Sequence, residues 1–289
     1  MSGGRLVLVP NALDARPGSG ESDLSDWLPL GAVRRAAGIR HWVAENARSA
    51  RAFLKRVDAL EPLAAPLQQI AIVEWPRHGD ADVDAMLAPA LEGHALGLIS
   101  ESGLPALADP GAALVAAAHV RGIAVDVLPG PSAIALAVAA SGLEGQRFAF
   151  VGYVPSDAPQ RDERLRALEA DSRRDRATQV MIETPYRNAA LLDAMLHVLA
   201  ADTRLSVSVG LGTPQAVVRT GTVARWRDAP LAVPGDVPAV FSLLAASGEP
   251  LSASRRRPGG RPAPPSHPRR PRRSRAPSRR RARRPASST

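Results

Sequence analysis

The sequence predicts an α/β protein of two sheets, a mostly parallel one in its N-terminal part and a mixed one in its C-terminal part. Three observations lead there. Short apolar runs alternate with helical segments through the first 140 residues, as in parallel sheets whose crossovers are helices. Most of these segments are bounded by Gly, Pro, Ser or Asp in positions that suit caps and turns. Between residues 205 and 244 three strand-like runs cluster, which suits a mixed sheet.

Taken in order, Arg5–Val9 is the first strand, stopped by Pro10. A helix covers Pro29–Ala37, a strand His41–Glu45, a basic amphipathic helix Ser49–Val57 and a strand Gln69–Glu74. Asp80 can cap a helix that runs to Leu91, and Ala95–Ser100 reads as a buried strand. Asp109-Pro110-Gly111 opens the next helix, with Asp as N-cap and Pro in the first turn; Gly122 ends it. Ile123–Leu128 is a strand, and Ser132 caps a helix closed by Ser141-Gly142. Beyond it, Arg147–Gly152 and Gln179–Glu183 read as strands, with a charged helix at Arg161–Arg173 between them. Asn188–Ala200 is an amphipathic helix, followed by strands at Leu205–Val209, Gln215–Thr220 and Ala239–Leu244. These elements divide into an N-terminal domain, 1–131, and a C-terminal domain, 132–247.

Residues 248–289 have another character. From 251 onward there are fourteen Arg and no acid or Lys, so residues 1–250 hold 23 basic groups against 28 acidic ones, a net of −5. The overall charge of +9 therefore belongs to the tail and says nothing about nucleic-acid binding by the body. Pro, Arg and Ser leave this tail little to bury, so disorder is expected. It reads either as an arm that grips RNA phosphates or as a dispensable extension. With 45% hydrophobic residues and 3% aromatic, the core should rest on Ala, Val and Leu.

Composition also excludes chemistry. With no cysteine there is no disulfide, thiolate zinc site or cysteine nucleophile. The opening residues do not read as a secretory signal, and no apolar run nears the roughly 20 residues of a membrane span, so a cytoplasmic protein is expected. The histidines show no H-x-x-x-H spacing, so no metal is expected. No P-loop, G-x-G-x-x-G or G-x-S-x-G motif occurs.

The informative stretch is ISESGLPALADPG, residues 99–111, followed by IAVDVLPGPSA, residues 123–133. Each segment takes a strand into a Gly/Pro loop ahead of a capped helix. Ligands of open α/β sheets bind beyond such strand ends. Either Gly103, Gly111 and Gly130 let backbone approach a ligand closely, with free loop N–H groups holding its oxygens, or the two loops are ordinary turns.

Those two segments closely resemble the tetrapyrrole-methylase-like superfamily, nearest the branch that methylates cytidine ribose 2'-oxygens in bacterial small-subunit rRNA. GQRFAFVGYVP and VMIETPYRN, at residues 145–155 and 180–188, are also similar to segments of that branch. The resemblance implies two α/β domains with S-adenosylmethionine in the cleft between them, and a homodimer. Its donor-binding loops fall on Pro10 and Asn11, on Ser100, Glu101, Ser102 and Gly103, and on Pro129, Gly130, Pro131, Ser132 and Ala133. It places Glu183 and Arg187 at the cleft and aligns Glu45-Asn46-Ala47-Arg48 with a further cleft segment. Glu45, Glu101 and Glu183 become candidate general bases, with Glu45 reading equally as a capping or salt-bridged carboxylate, and Arg48 and Arg187 candidate acceptor contacts. Arg48, Arg51, Lys55 and Arg56 form a basic helix face that reads as a phosphate contact or as a solvated surface. The chain also departs from the branch. It lacks the glycine of the first loop, has Asn46 for an acid, and carries Gly210–Pro214 where the branch has an Arg–Glu pair and a Lys. The expected activity is rRNA 2'-O-methylation. The alternatives are methylation of a tetrapyrrole or other small acceptor, and a non-catalytic S-adenosylmethionine- or RNA-binding protein.

Overall fold

The computed structural model describes residues 3–13, 23–229 and 231–246. Asp14 and the arginine-rich segment 248–289 lie outside the described residues. The described residues form one compact unit that contains two five-stranded sheets.

The first sheet is built from β1 (Arg5–Leu8), α1 (Leu30–Ala37), β2 (His41–Ala44), α2 (Ala47–Leu60), β3 (Ala71–Glu74), α3 (Val83–Leu91), β4 (Ala95–Ile99), α4 (Ala112–Val120) and β5 (Ala124–Val127). Its strands are all parallel, in the order β3-β2-β4-β1-β5. Side chains alternate faces along a strand. Val7 and Val9 accordingly pack in one core with α1 and α2, and Leu6 and Leu8 in another with α3 and α4. In α2 the residues Ala50, Phe53, Leu54 and Val57 recur at helical spacing and are buried, each of the three large ones contributing about 1.5–3 kcal/mol. The opposite face of the same helix carries the exposed Arg48, Arg51 and Lys55.

The second sheet follows α5 (Ala133–Ser141) and comprises β6 (Phe148–Tyr153), α6 (Ala158–Asp175), β7 (Thr178–Glu183), α7 (Asn188–Val198), β8 (Arg204–Val209), β9 (Val217–Thr222), α8 (Val223–Asp228) and β10 (Ala239–Leu244). Its order is β6-β7-β10-β8-β9. The β6–β7 pair is parallel and the rest antiparallel, the mixed sheet expected. Helix α5 packs on one face of it through Ile134, Ala137 and Val138, against Val180 and Val240. The loop leaving β5 is thereby anchored to both sheets.

Several local expectations change. Asp109 does not cap α4: the N-cap is Gly111, at φ +127°, with no side-chain bond, and the Asp109 carboxyl is held instead by the Ser100 hydroxyl. Asp82 rather than Asp80 caps α3, accepting from the Ala85 amide at 3.0 Å. Helix α8 went unseen in the sequence because a two-turn segment offers too short a period. The core does not rest on small residues alone. Trp42, Trp226, Phe53 and Phe241 are its largest fully buried side chains. The Trp42 indole occupies the room above Gly97, where a Cβ would lie 2.5 Å from its ring, and its Nε1 donates to the Ile39 carbonyl at 3.1 Å.

Candidate functional site

The loops after β1, β4 and β5 meet at the carboxyl edge of the parallel sheet, the edge at which such sheets bind ligands. Asn11 stitches the first two together. It is buried, and its side-chain amide donates to the carbonyls of Glu101 at 2.9 Å and Ser100 at 3.4 Å. Its backbone exchanges two hydrogen bonds with Gly103, at 2.8 and 3.1 Å. Ser102 Oγ adds a bond to the Ala12 carbonyl at 3.4 Å, and Ser100 Oγ one to the Ser102 carbonyl at 3.3 Å. The third loop, Pro129–Ser132, rests on the first. A Cβ at Gly130 would lie 2.3 Å from Pro10 Cγ and 2.8 Å from Leu28 Cδ2, so only glycine allows that approach.

This corrects the expectation that the loop glycines and amides stand open toward a ligand. Gly103, at φ +70°, faces Leu13 and the Pro131 carbonyl, and Gly111 faces Leu98. The amides of Asn11, Ala12, Glu101 and Gly103 all donate within the protein. The glycines serve loop-on-loop packing, and that packing shapes what is left open.

What is left is a cavity of about 360 Å³, a size that suits a small-molecule ligand. Leu13, Ser102 and Ala133 line it from the parallel-sheet side; Val209, Leu211, Val217 and Val240 line it from the mixed sheet. The backbone amides of Ser102 and Ala133 donate to no group among the described residues. Ala133 opens α5, so its amide is one of the unpaired donors at that helix start. Those two amides, with Ser208, Thr213 and Gln215 in a mainly apolar lining, supply polar partners for a carboxylate or hydroxyl oxygen beside an apolar ring. The residues present therefore fit an S-adenosylmethionine-sized ligand.

Beside the Ser102 loop lies a set of ionisable groups. Glu45, just past β2, accepts from the Glu101 amide through Oε2 at 3.0 Å. Burial pushes the Asp109 carboxyl up to about 6; the Ser100 hydroxyl draws it down, and the Glu45 and Glu101 charges add to the rise. From the other sheet, the buried Glu183 accepts at Oε1 from the Thr184 amide at 2.7 Å and from Arg187 Nη2 at 2.6 Å and Nε at 3.0 Å. Tyr153, at the end of β6, joins the two sides. Burial raises its phenol, the Asp109, Glu183 and Glu45 charges raise it further, and Arg187 opposes them. Tyr153 thus responds to carboxylates carried by both sheets.

Of the residues expected in the site, only Ser102 and Ala133 line the cavity itself. Pro10, Asn11, Ser100, Gly103 and Gly130 build the loops beneath it. Glu45, Glu101, Glu183 and Arg187 belong to the neighbouring ionisable group. Arg48 lies in the first turn of α2, on a separate basic groove. Tyr153 and the valine wall of the mixed sheet escaped sequence reasoning. The only local hint of Tyr153 is Gly152, which sits at φ +71° where the β6–β7 register shifts, directly before an exposed aromatic. Val209, Val217 and Val240 look like any strand residues until the fold brings them together.

Comparison with known proteins settles the kinship. The sequence profile of the Tetrapyrrole (Corrin/Porphyrin) Methylases matches residues 26–226, well over half of the chain. The chain belongs to the tetrapyrrole methylase family. Among curated relatives, the ribosomal RNA small subunit methyltransferase I of Mesorhizobium japonicum is 37% identical over 155 residues, 53% of this chain and 51% of that protein. The protein of the same name from Halalkalibacterium halodurans is 33% identical over 169 residues, 58% of this chain and 54% of that protein. The chain thus spans about half the length of these curated relatives. Among solved structures, the methyltransferase CobJ superposes with a TM-score of 0.51 at 18% identity, covering 85% of this chain and 95% of CobJ, a likeness of fold. This tetrapyrrole methylase has, among its described residues, no helix long and apolar enough to cross a membrane. Nor do those residues include a group of three or more His, Asp or Glu that could hold a metal ion.

Proposed function

We propose that this tetrapyrrole methylase is an S-adenosylmethionine-dependent methyltransferase whose acceptor is a cytidine ribose 2'-hydroxyl of small-subunit rRNA. The observation that carries the reading is the cavity lined from both sheets, with the ionisable group of Glu45, Glu101 and Asp109 beside its Ser102 loop. Residues 1–131 and 132–247 act as its two lobes. The ribosomal assignment rests on the names of the curated relatives. The setting is then the cytoplasm, and the assembly the homodimer that the family resemblance implies.

Ser102 and Ala133 would hold the donor's polar groups by their amides, and Val209, Val217 and Val240 its apolar parts. Bound there, S-adenosylmethionine would supply a methyl group on a positively charged sulfur, which leaves as a neutral thioether. The protein's task is alignment, together with removal of the hydroxyl proton. We assign that proton to a carboxylate oxygen of Asp109. Glu45 and Glu183, two of the three candidates suggested by the sequence, have carboxylates committed to the Glu101 amide and to Arg187. Asp109, with its carboxyl raised to about 6, is ionised at neutral pH yet a stronger base than an ordinary carboxylate. Tyr186, 74% exposed beside Arg187, offers a face on which a base can stack.

The test has two stages. Calorimetry with S-adenosylmethionine should show one site, and tritiated methyl should pass to small ribosomal subunits from a strain deleted for this gene. Label entering a porphyrinoid fraction would move the acceptor to the small-molecule class. Donor binding with transfer to neither would leave a binding protein, and no donor binding would end the reading.

A further inference from the structure

The exposed face of α2 carries a groove that the cavity does not explain. Arg48, Arg51, Lys55 and Arg56 line it, with Ala52 and Ala59 between them and Leu67 at its edge, around a hollow of about 630 Å³. Among the described residues no acidic side chain lines it. Among the described residues no carboxylate pairs with Arg48, Arg51 or Lys55. Three exposed cations left unpaired on one helix face repel one another, and nothing in the packing of α2 requires them, since its buried face is Ala50, Phe53, Leu54 and Val57. The protein whose body is net negative has concentrated positive charge on this one helix face.

Its position is as telling as its charge. Helix α2 begins two residues after Glu45, whose carboxylate is bonded to the Glu101 amide in the loop beside the cavity. The Asn46 side chain accepts from the Arg48 and Ser49 amides, and Glu74 accepts from the Ala47 amide, so the helix start is fixed against that edge of the sheet. From Arg48 to Lys55 the axis advances about 10 Å. The groove therefore starts near the carboxyl edge of the parallel sheet, where the loops of the site meet, and extends along α2 as a short basic track.

We propose that the α2 groove, through Arg48, Arg51 and Lys55, holds the phosphates of the RNA strand that flanks the methylated ribose. This rests on the RNA reading above and specifies where the strand lies. Each contact releases counterions, and for single strands each lost phosphate contact lowers the slope of log K against log salt by about 0.7. Removing three should lower that slope by about 2.

The experiment uses the full chain, wild type against Arg48→Gln/Arg51→Gln/Lys55→Gln, with small ribosomal subunits from the deletion strain and an unrelated single-stranded RNA 20-mer as probes. Affinity is measured from 50 to 300 mM KCl, with S-adenosylmethionine calorimetry and thermal denaturation alongside. The altered side chains are exposed and line no part of the cavity, so donor affinity and melting temperature should hold. RNA affinity should fall at least 10-fold at 100 mM KCl for both probes, and the salt slope should drop by about 2. A charge-reversed Arg51→Glu variant should weaken binding more than Arg51→Gln. If the wild type binds subunits with a steep salt slope that the triple variant keeps, the groove is a solvated face and this inference fails while the RNA reading stands. If the wild type transfers methyl to a porphyrinoid fraction and binds neither RNA, both fail.

Discussion

Asp109→Asn separates the cost of the raised carboxyl from its use. In the folded protein its value rises from 3.8 to about 6, because burial and the neighbouring Glu45 and Glu101 disfavour the charge. That rise corresponds to about 3 kcal/mol of preference for the neutral form. The group is half-buried, so solvent screening reduces the usable figure to about 1–2 kcal/mol. The sign follows from proton binding. Between pH 3.8 and 6 the folded state holds the proton more tightly than the unfolded state, so this contribution to stability is full below pH 3.8 and is lost as pH rises through 6. Asparagine keeps the shape and removes the charge. At pH 8 the variant should melt about 2–8 °C above the wild type, since 1 kcal/mol moves a unit of this size by about 2–4 °C. At pH 4.5 the difference should shrink to about a third of that. Methyl transfer to subunits should fall about 100-fold or more, the scale of a lost general base, with S-adenosylmethionine affinity within about twofold. Differential scanning calorimetry at the two pH values and tritium transfer at saturating donor make the comparison. A melting difference independent of pH would refute the charge argument, and full transfer would remove Asp109 as the proton acceptor.

Gly130→Ala puts a Cβ 2.3 Å from Pro10 Cγ, so overpacking of about 1–3 kcal/mol should appear as a lower melting temperature. Donor affinity should fall with it, because the Pro10 and Pro129 loops shift together; calorimetry reads both. Gly103→Val forces a branched residue into φ +70° against Leu13, a cavity-lining side chain, so it should lose about 1–2 kcal/mol of stability and weaken the donor at least 10-fold. Unchanged donor affinity would remove Gly103 from the support of the site. Arg187→Met leaves the buried Glu183 carboxylate without its ion-pair partner and should cost about 2–3 kcal/mol, less than a fully enclosed pair because Arg187 is partly exposed. The Glu183→Gln/Arg187→Met double variant should recover part of that loss in chemical denaturation. Trp226→Phe forfeits the Nε1 bond to the Leu205 carbonyl at 3.0 Å and should cost about 1–3 kcal/mol in the same assay, with donor affinity unchanged.

Much of the architecture follows from local patterns. Alternating Leu6, Val7, Leu8 and Val9 mark a strand buried on both faces, and Asn46 and Ser132 cap their helices as residues of their type should. The two Gly/Pro loops that the sequence singled out do lie together at one edge of the parallel sheet, because strand ends and helix starts are written in turn chemistry. Short-range rules stop where packing across the fold begins. Nothing in DPG distinguishes an aspartate that caps α4 from one bonded to the Ser100 hydroxyl and facing the charges of Glu45 and Glu101. Nothing in FAFVGY says that Tyr153 will sense three carboxylates from two sheets. The sequence by itself determined the order of elements, the family motifs and the basic face of α2, since these depend on neighbours a few residues away. Only the tertiary structure decided which glycines pack on protein, which amides stay unpaired and which carboxyl is raised. Those properties depend on desolvation and charge contributed by segments that meet only when the two sheets come together.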